Sequence, residues 1–145
     1  MIIFGILLTF VFCVFSAPPP NEPSSRSLLE LEEMMSEKLH TEPITTYDGY
    51  GCFCGLGSKS NTPVDAIDRC CMEHDACYGR SDDMGCASKW DIYSFNCNEE
   101  PFHCETITCI DEDSCHKFNC ECDRTFVNCL AKLPVPKRKK PCNVS

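Results

Sequence analysis

Cysteine is the residue that most constrains this chain, at 15 of 145 positions. A domain of this size has a modest core, and thiols at such density belong to proteins stapled by disulfides in an oxidising compartment. The opening "MIIFGILLTFVFCVFSA" is an uncharged apolar run that ends against "PPP". It is short and proline-terminated, so it reads as a secretion signal over 1–16 rather than a membrane anchor. Its removal takes Cys13 and leaves fourteen cysteines, enough for seven bridges with no thiol left over. Residues 17–26, "APPPNEPSSR", are too rich in proline and polar residues to bury anything, and they stop at Arg26 just before an amphipathic segment. They read as a propeptide, with one domain over 27–145. The expected location is secreted and extracellular.

A formal charge of −9 argues against nucleic acid, whose phosphates call for basic surface. The charge is uneven: "KLPVPKRKK" (132–140) is a basic tail on an acidic body. Such a run is ordinarily solvated, and its alternative role is to meet anionic lipid or another polyanion.

Leu28, Leu31, Met35 and Leu39 recur at helical spacing and predict a first helix, with Leu29 facing outward. "YDGYGCFCGLGSKSNTP" is loop material. "VDAIDRCCMEHDACYG" predicts a helix ending around Gly79, "KWDIYSFNC" a short hairpin or irregular turn, and "DSCHKFNCECDRTFVNCLAKL" a second long helix stopped by Pro134.

The segment "DRCCMEHDACYG" admits three readings: a metal site, a disulfide-pinned helix carrying a catalytic histidine, or simple stapling. Cys70 and Cys77 lie two turns apart on one helix face, and Cys122 and Cys129 have the same separation. In an antiparallel pair, Cys70–Cys129 and Cys77–Cys122 share one register and would clamp the helices side by side. His74 falls between the clamped positions, and Asp123 comes within a turn of the same register. That is a base with its orienter. Asp75 projects about 100° away. If Cys71 bridges back to Cys54, Asp75 faces "CGLG", and a carboxylate beside several backbone carbonyls suits a hard cation with oxygen ligands. One formal negative ligand implies weak affinity, on the order of 10⁻⁴ to 10⁻³ M. Zinc is the rival for "C-x-C" and "CC", but the even count and oxidising compartment favour disulfides.

With these residues assembled, "YGCFCGLG", "TPVDAIDRCCMEHDACYG" and "CECDR" resemble the secreted phospholipase A2 family over nearly the whole mature chain. The pancreatic-type branch is the best match, because Arg26 ends a propeptide and Ala76 stands where the viper-type branch has a cysteine. The resemblance implies a mainly α, disulfide-rich fold: an N-terminal helix, a calcium loop, two long antiparallel disulfide-linked helices and a small β-wing. It implies His74 and Asp123 as catalytic residues, and Asp75 with the carbonyls of Phe53, Gly55 and Gly57 as calcium ligands. The amide of Gly55 is the implied oxyanion donor, and Tyr78 and Tyr93 the implied supports of the aspartate. Leu28, Leu29 and Leu56 match apolar rim positions that meet a phospholipid membrane or micelle. Four further bridges are implied: Cys52–Cys142, Cys54–Cys71, Cys86–Cys115 and Cys109–Cys120. The activity implied is calcium-dependent hydrolysis of the sn-2 ester of glycerophospholipids, with a monomer favoured.

The chain departs from the family pattern at three places. "CGLGSKSNTPVD" is one residue longer than the usual loop, and Ser58, Lys59, Ser60 and Asn61 replace later glycines, which tolerate positive φ where Ser and Lys do not. The extra length either bulges outward at Lys59 and Ser60 or distorts the carbonyl cage. The usual first-helix cysteine is missing while Cys104 is added, so a local Cys97–Cys104 bridge is the economical pairing. Glu30, Glu32 and Glu33 put negative charge on the first helix, which favours zwitterionic or mixed lipid surfaces. Little glycosylation is expected at Asn143, and His40, His103 and His116 read as surface residues. The competing function is a catalytically weak or inactive binding protein on the same scaffold, toxin-like or a receptor ligand; a cysteine-rich structural protein with no site is the third possibility.

Overall fold

Helices and strands follow in the order α1 (Arg26–Leu39), α2 (Pro43–Tyr47), α3 (Ala66–Asp83), β1 (Phe95–Glu100), β2 (His103–Cys109) and α4 (Ser114–Leu130). The computed structural model describes residues 26–57, 59–100 and 103–143. The expected signal peptide, and the propeptide up to its last residue, lie outside the described residues.

In α1 the buried face is Leu31, Met34 and Met35, and Met34 is the deepest of the three although it lies off the stripe drawn from the sequence. Adjacent Met34 and Met35 widen the apolar face so that the helix packs on both α2 and α4. Lys38 Nζ donates to the carbonyls of Cys104 (2.8 Å) and Glu105 (2.5 Å), tying α1 to β2. The short α2 starts on Pro43, whose fixed φ suits a first helical position.

α3 begins where Asp65 caps it, its side chain accepting from the Asp68 N–H. It does not stop at Gly79 but runs to Asp83. An interior glycine costs a helix about 1 kcal/mol relative to alanine. Tertiary contacts outweigh that here: buried Ser81 donates to Asn119 of α4 (2.5 Å), and Cys86 just beyond the helix is bridged to Cys115. α4 is capped by Asp113, whose carboxylate accepts from the N–H groups of Cys115 (2.9 Å) and His116 (3.1 Å). His116 is accordingly half-buried rather than a plain surface residue.

β1 and β2 pair antiparallel, with a bulge at Asn98/Glu99. Only the end of "KWDIYSFNC" is strand; the partner strand is the segment around the additional Cys104. The extra residues before "TITC" therefore lengthen the wing.

Seven disulfides join Cys52–Cys142, Cys54–Cys71, Cys70–Cys129, Cys77–Cys122, Cys86–Cys115, Cys97–Cys104 and Cys109–Cys120. They use every cysteine from Cys52 onward. No thiolate is left to ligate zinc, which removes that reading of "CC". Part of the basic tail is tied down rather than freely solvated. Lys140 pairs with Asp65 (2.7 Å) while its carbonyl accepts from Gly51 N–H (2.8 Å), and Lys139 Nζ reaches the Ile44 carbonyl at 3.3 Å.

Candidate active site

The two bridges between α3 and α4 bring His74 and Asp123 together. His74 Nε2 donates to Asp123 Oδ1 at 2.5 Å. Asp123 has no solvent exposure, and its Oδ2 accepts from Tyr93 (2.5 Å) and Tyr78 (3.0 Å). A buried carboxylate is costly unless its oxygens are hydrogen-bonded, and three donors meet that need. Burial, and then the Asp123 charge, push the Tyr93 hydroxyl above the usual phenol range, so it remains a donor. With Nε2–H held by Asp123, the imidazole lone pair lies on Nδ1.

Aromatic rings complete the setting. Tyr78 is tilted over His74 at 4.3 Å between centroids, and Phe126 stacks on it at 4.5 Å and 22°. The His74 side chain is only 10% exposed. A groove of about 330 Å³ between α3 and α4 runs beside it, lined by Glu73, His74, Arg80, Thr125 and Phe126.

Asp75 stands on another face of α3, four residues after Cys71, which shares that face and is bridged to Cys54 in the loop. Partial burial raises the Asp75 pKa above the ordinary carboxylate value; the charges of His74 and Lys89 pull it down, and Asp68 adds to the rise. Across the bridge, Gly55 and Gly57 have φ of 122° and 78°, a region open to glycine. Cys52 and Cys54 use their carbonyls on Lys59 N–H (2.9 Å) and Gly49 N–H (2.7 Å). The carbonyls of Phe53, Gly55 and Gly57 accept from no donor among the described residues. The three carbonyls that accept no hydrogen bond and the Asp75 carboxylate are oxygen donors, a chemistry that fits calcium and not a soft metal.

Lys59, Ser60 and Asn61 adopt no left-handed conformation, since among the described residues His40 is the one non-glycine with positive φ. Within the longer segment Lys59 is exposed and Ser60 is partly buried, its Oγ accepting from Thr62 N–H at 3.2 Å. Leu28, Leu29 and Leu56 are exposed at 38%, 56% and 84%. Glu30, Glu33 and Glu37 line a groove of about 400 Å³ against Tyr93 and Asn96.

Sequence reasoning missed four residues around the site. Phe126 follows Asp123 by three positions on α4, so helical spacing alone would have found it. Lys89 acts on Asp75 only through the fold. Asp48 lies so close to Gly55 that a Cβ at that glycine would stand 2.7 Å from its Oδ1. Asp68 is fully buried beneath the loop.

A family model described as phospholipase A2 matches residues 28–141. This chain belongs to the phospholipase A2 family. Basic phospholipase A2 2 of Bungarus caeruleus is 40% identical over 124 residues, covering 84% of this chain and 86% of that protein. Acidic phospholipase A2 PLA-2 of Eristicophis macmahoni is 43% identical over 114 residues, or 79% and 88% of the two chains. Acidic phospholipase A2 KBf-grIB of Bungarus fasciatus is 38% identical over 123 residues, or 80% and 83%. The match includes α1, the glycine loop, both bridged helices and the β-wing, so the phospholipase A2 fold described above is the family's and the chain is a hydrolase by membership. Among the described residues, no helix is long and apolar enough to cross a membrane.

Proposed function

We propose that this chain is a secreted, calcium-dependent phospholipase A2 that hydrolyses the sn-2 ester of glycerophospholipids at lipid–water interfaces. The observation that carries this reading is the 2.5 Å contact between His74 Nε2 and a fully buried Asp123 that also accepts from two tyrosines. It leaves Nδ1 as the base.

His74 Nδ1 takes a proton from a water molecule as that water forms a C–O bond to the sn-2 carbonyl carbon. Asp123 holds the imidazole in one tautomer and stabilises its protonated form. The N–H of Gly55 faces the developing oxyanion. When the C–O bond to the glycerol breaks, the same nitrogen returns its proton to the departing alkoxide, and fatty acid and lysophospholipid leave. Asp75 and the carbonyls of Phe53, Gly55 and Gly57 would hold calcium, which would supply positive charge for the substrate phosphate and the oxyanion. No serine or cysteine nucleophile is required.

Leu28, Leu29 and Leu56 form the apolar rim that meets the lipid surface, and the negative charge of α1 favours zwitterionic or mixed surfaces. Seven bridges support an extracellular setting. Ala76, rather than a cysteine, supports the pancreatic-type branch.

The test is hydrolysis of mixed phosphatidylcholine micelles by the domain from Ser27 onward, with calcium titrated and then chelated. Calcium-dependent release of the sn-2 fatty acid, lost in His74→Gln by roughly 10²–10⁴-fold in rate, is the expected result. No release at saturating calcium, with the disulfides intact, would replace the enzyme by a binding protein on the same scaffold.

A further inference from the structure

Asp68 takes no part in the chemistry above, yet it is among the most completely buried residues of the protein. It lies on α3, seven residues before Asp75 and so on the same side of the helix. Its Oδ1 accepts from the backbone N–H of Phe53 (2.8 Å) and Cys52 (3.0 Å); its Oδ2 accepts from Cys52 (2.9 Å) and Val64 (2.9 Å). The first two donors open the glycine loop and the third closes it. One carboxylate therefore fixes both ends of the loop to the helix that carries Asp75.

The loop is shaped to admit this group. Gly51 has φ of 61°, and a Cβ there would stand 2.3 Å from Asp68 Cγ. The peptide joining Cys52 to Phe53 is held on both sides, its N–H by Asp68 and its carbonyl by Lys59 N–H. The next N–H, of Cys54, goes to the Tyr50 carbonyl at 3.2 Å. In a trans peptide the carbonyl points opposite to the N–H, so the Phe53 carbonyl is turned away from Tyr50.

We infer that Asp68 is a positioning residue for the cation cradle: it locks the Phe53 carbonyl and the Asp75 carboxylate to one helix, so that the donor set is assembled before the ion arrives. This rests on the calcium reading above. Preorganised donors raise affinity by avoiding the cost of ordering them on binding, and groups that orient metal ligands are worth about 10–100-fold in affinity.

The experiment is calcium titration by calorimetry on the intact disulfide-bonded protein and on Asp68→Asn, Asp75→Asn and Ser81→Ala, each with its melting temperature. Ser81→Ala removes a buried hydrogen bond at the far end of α3 and serves as the control for plain destabilisation. The expected result is calcium binding weakened at least tenfold in Asp68→Asn, undetectable in Asp75→Asn and unchanged in Ser81→Ala. Affinity within twofold of the parent in folded Asp68→Asn, or an equal loss in Ser81→Ala, would overturn the inference. If Asp68→Asn does not fold, amide exchange in the unaltered protein decides. Protection of the Cys52, Phe53 and Val64 amides without calcium supports a preset cradle, and protection that appears only with calcium overturns it. A parent protein that gives no calcium signal refutes the calcium reading itself, and the inference falls with it.

Discussion

His74 and Asp123 stand on two helices tied above and below them by Cys70–Cys129 and Cys77–Cys122, whereas the glycine loop is buried from Gly51 to Cys54 and exposed from Gly55 to Gly57. Its two covalent ties, at Cys52 and Cys54, both lie at its beginning. In the proposed mechanism the helix pair contributes side chains, whose backbone is free to serve the helices. The loop, on the same proposal, contributes backbone carbonyls, and those of Phe53, Gly55 and Gly57 accept from no donor among the described residues. Side-chain chemistry tolerates covalent locking on every side. Backbone chemistry needs irregular φ at Gly55 and Gly57, and it is fixed by hydrogen bonds to a buried carboxylate instead.

The difference is broken most severely by removing a staple from the helix pair. Replacing Cys77 and Cys122 together by alanine should cost about 2–5 kcal/mol of stability. The resulting drop in melting temperature should be accompanied by slower sn-2 hydrolysis, because the register of His74 against Asp123 relaxes. Equal stability and activity in the double variant would mean that packing alone sets the register.

Phe126→Ala tests the aromatic side of the same half. Phenylalanine-to-alanine changes in a core cost about 3–5 kcal/mol, and the value here should fall at or below the lower end, because the ring stacks on His74 and lines the groove rather than lying in the middle of the core. The expected kinetic signature is a lower kcat with little change in KM or in calcium affinity. A loss confined to calcium binding would contradict the separation of the two halves.

A smaller effect is expected where the tail is strapped to the loop's end. Burial by itself would raise the Asp65 pKa, but hydrogen bonds from Lys140, Tyr50 and the Asp68 N–H, with the Lys140 charge, hold it below the ordinary 3.8. A carboxyl with a depressed folded pKa stabilises the fold fully above its unfolded pKa, and this contribution is lost as pH falls through the folded value. Lys140→Ala should therefore destabilise by about 1 kcal/mol or less at pH 7, and the gap to the parent should close below about pH 4. Denaturant melts at both pH values measure this, and a gap that widens in acid would refute it.

The smallest effect belongs to the exposed Lys59 side chain. Lys59→Ala keeps the N–H that reaches the Cys52 carbonyl, so calcium affinity in calorimetry should stay within about twofold of the parent. A larger loss would show that the Lys59 side chain shapes the cradle.

The helix pair was legible in the sequence because cysteines at seven-residue spacing carry both the helical period and the register. His74 and Asp123 could be placed from that register alone, whereas Asp75 needed the further bridge from Cys71 to Cys54. Tyr78 and Tyr93 could not, because nothing local links Tyr93 to a helix thirty residues later; only the family resemblance suggested them. Gly79 misled for a physical reason: its helix-breaking tendency is overruled by Ser81 and Asn119, whose contact depends on the finished pair. Met34 was hidden because an apolar stripe drawn at strict spacing ignores a wide face. The role of Asp68 was hidden more completely. An acidic residue in the first turn of a helix looks like an ordinary partner for the helix dipole, and only the fold turns it inward beneath the loop.

The bridge from Cys52 to Cys142 spans 90 positions, against 17 for Cys54–Cys71 and 11 for Cys109–Cys120. During synthesis into an oxidising compartment, Cys52 emerges long before its partner has been translated. Cys54 meets Cys71 after a short stretch of chain, whereas the first cysteine of the loop waits for a partner near the far end of the described residues. A chain cut short before Cys142 leaves Cys52, at the start of the glycine loop, without its partner.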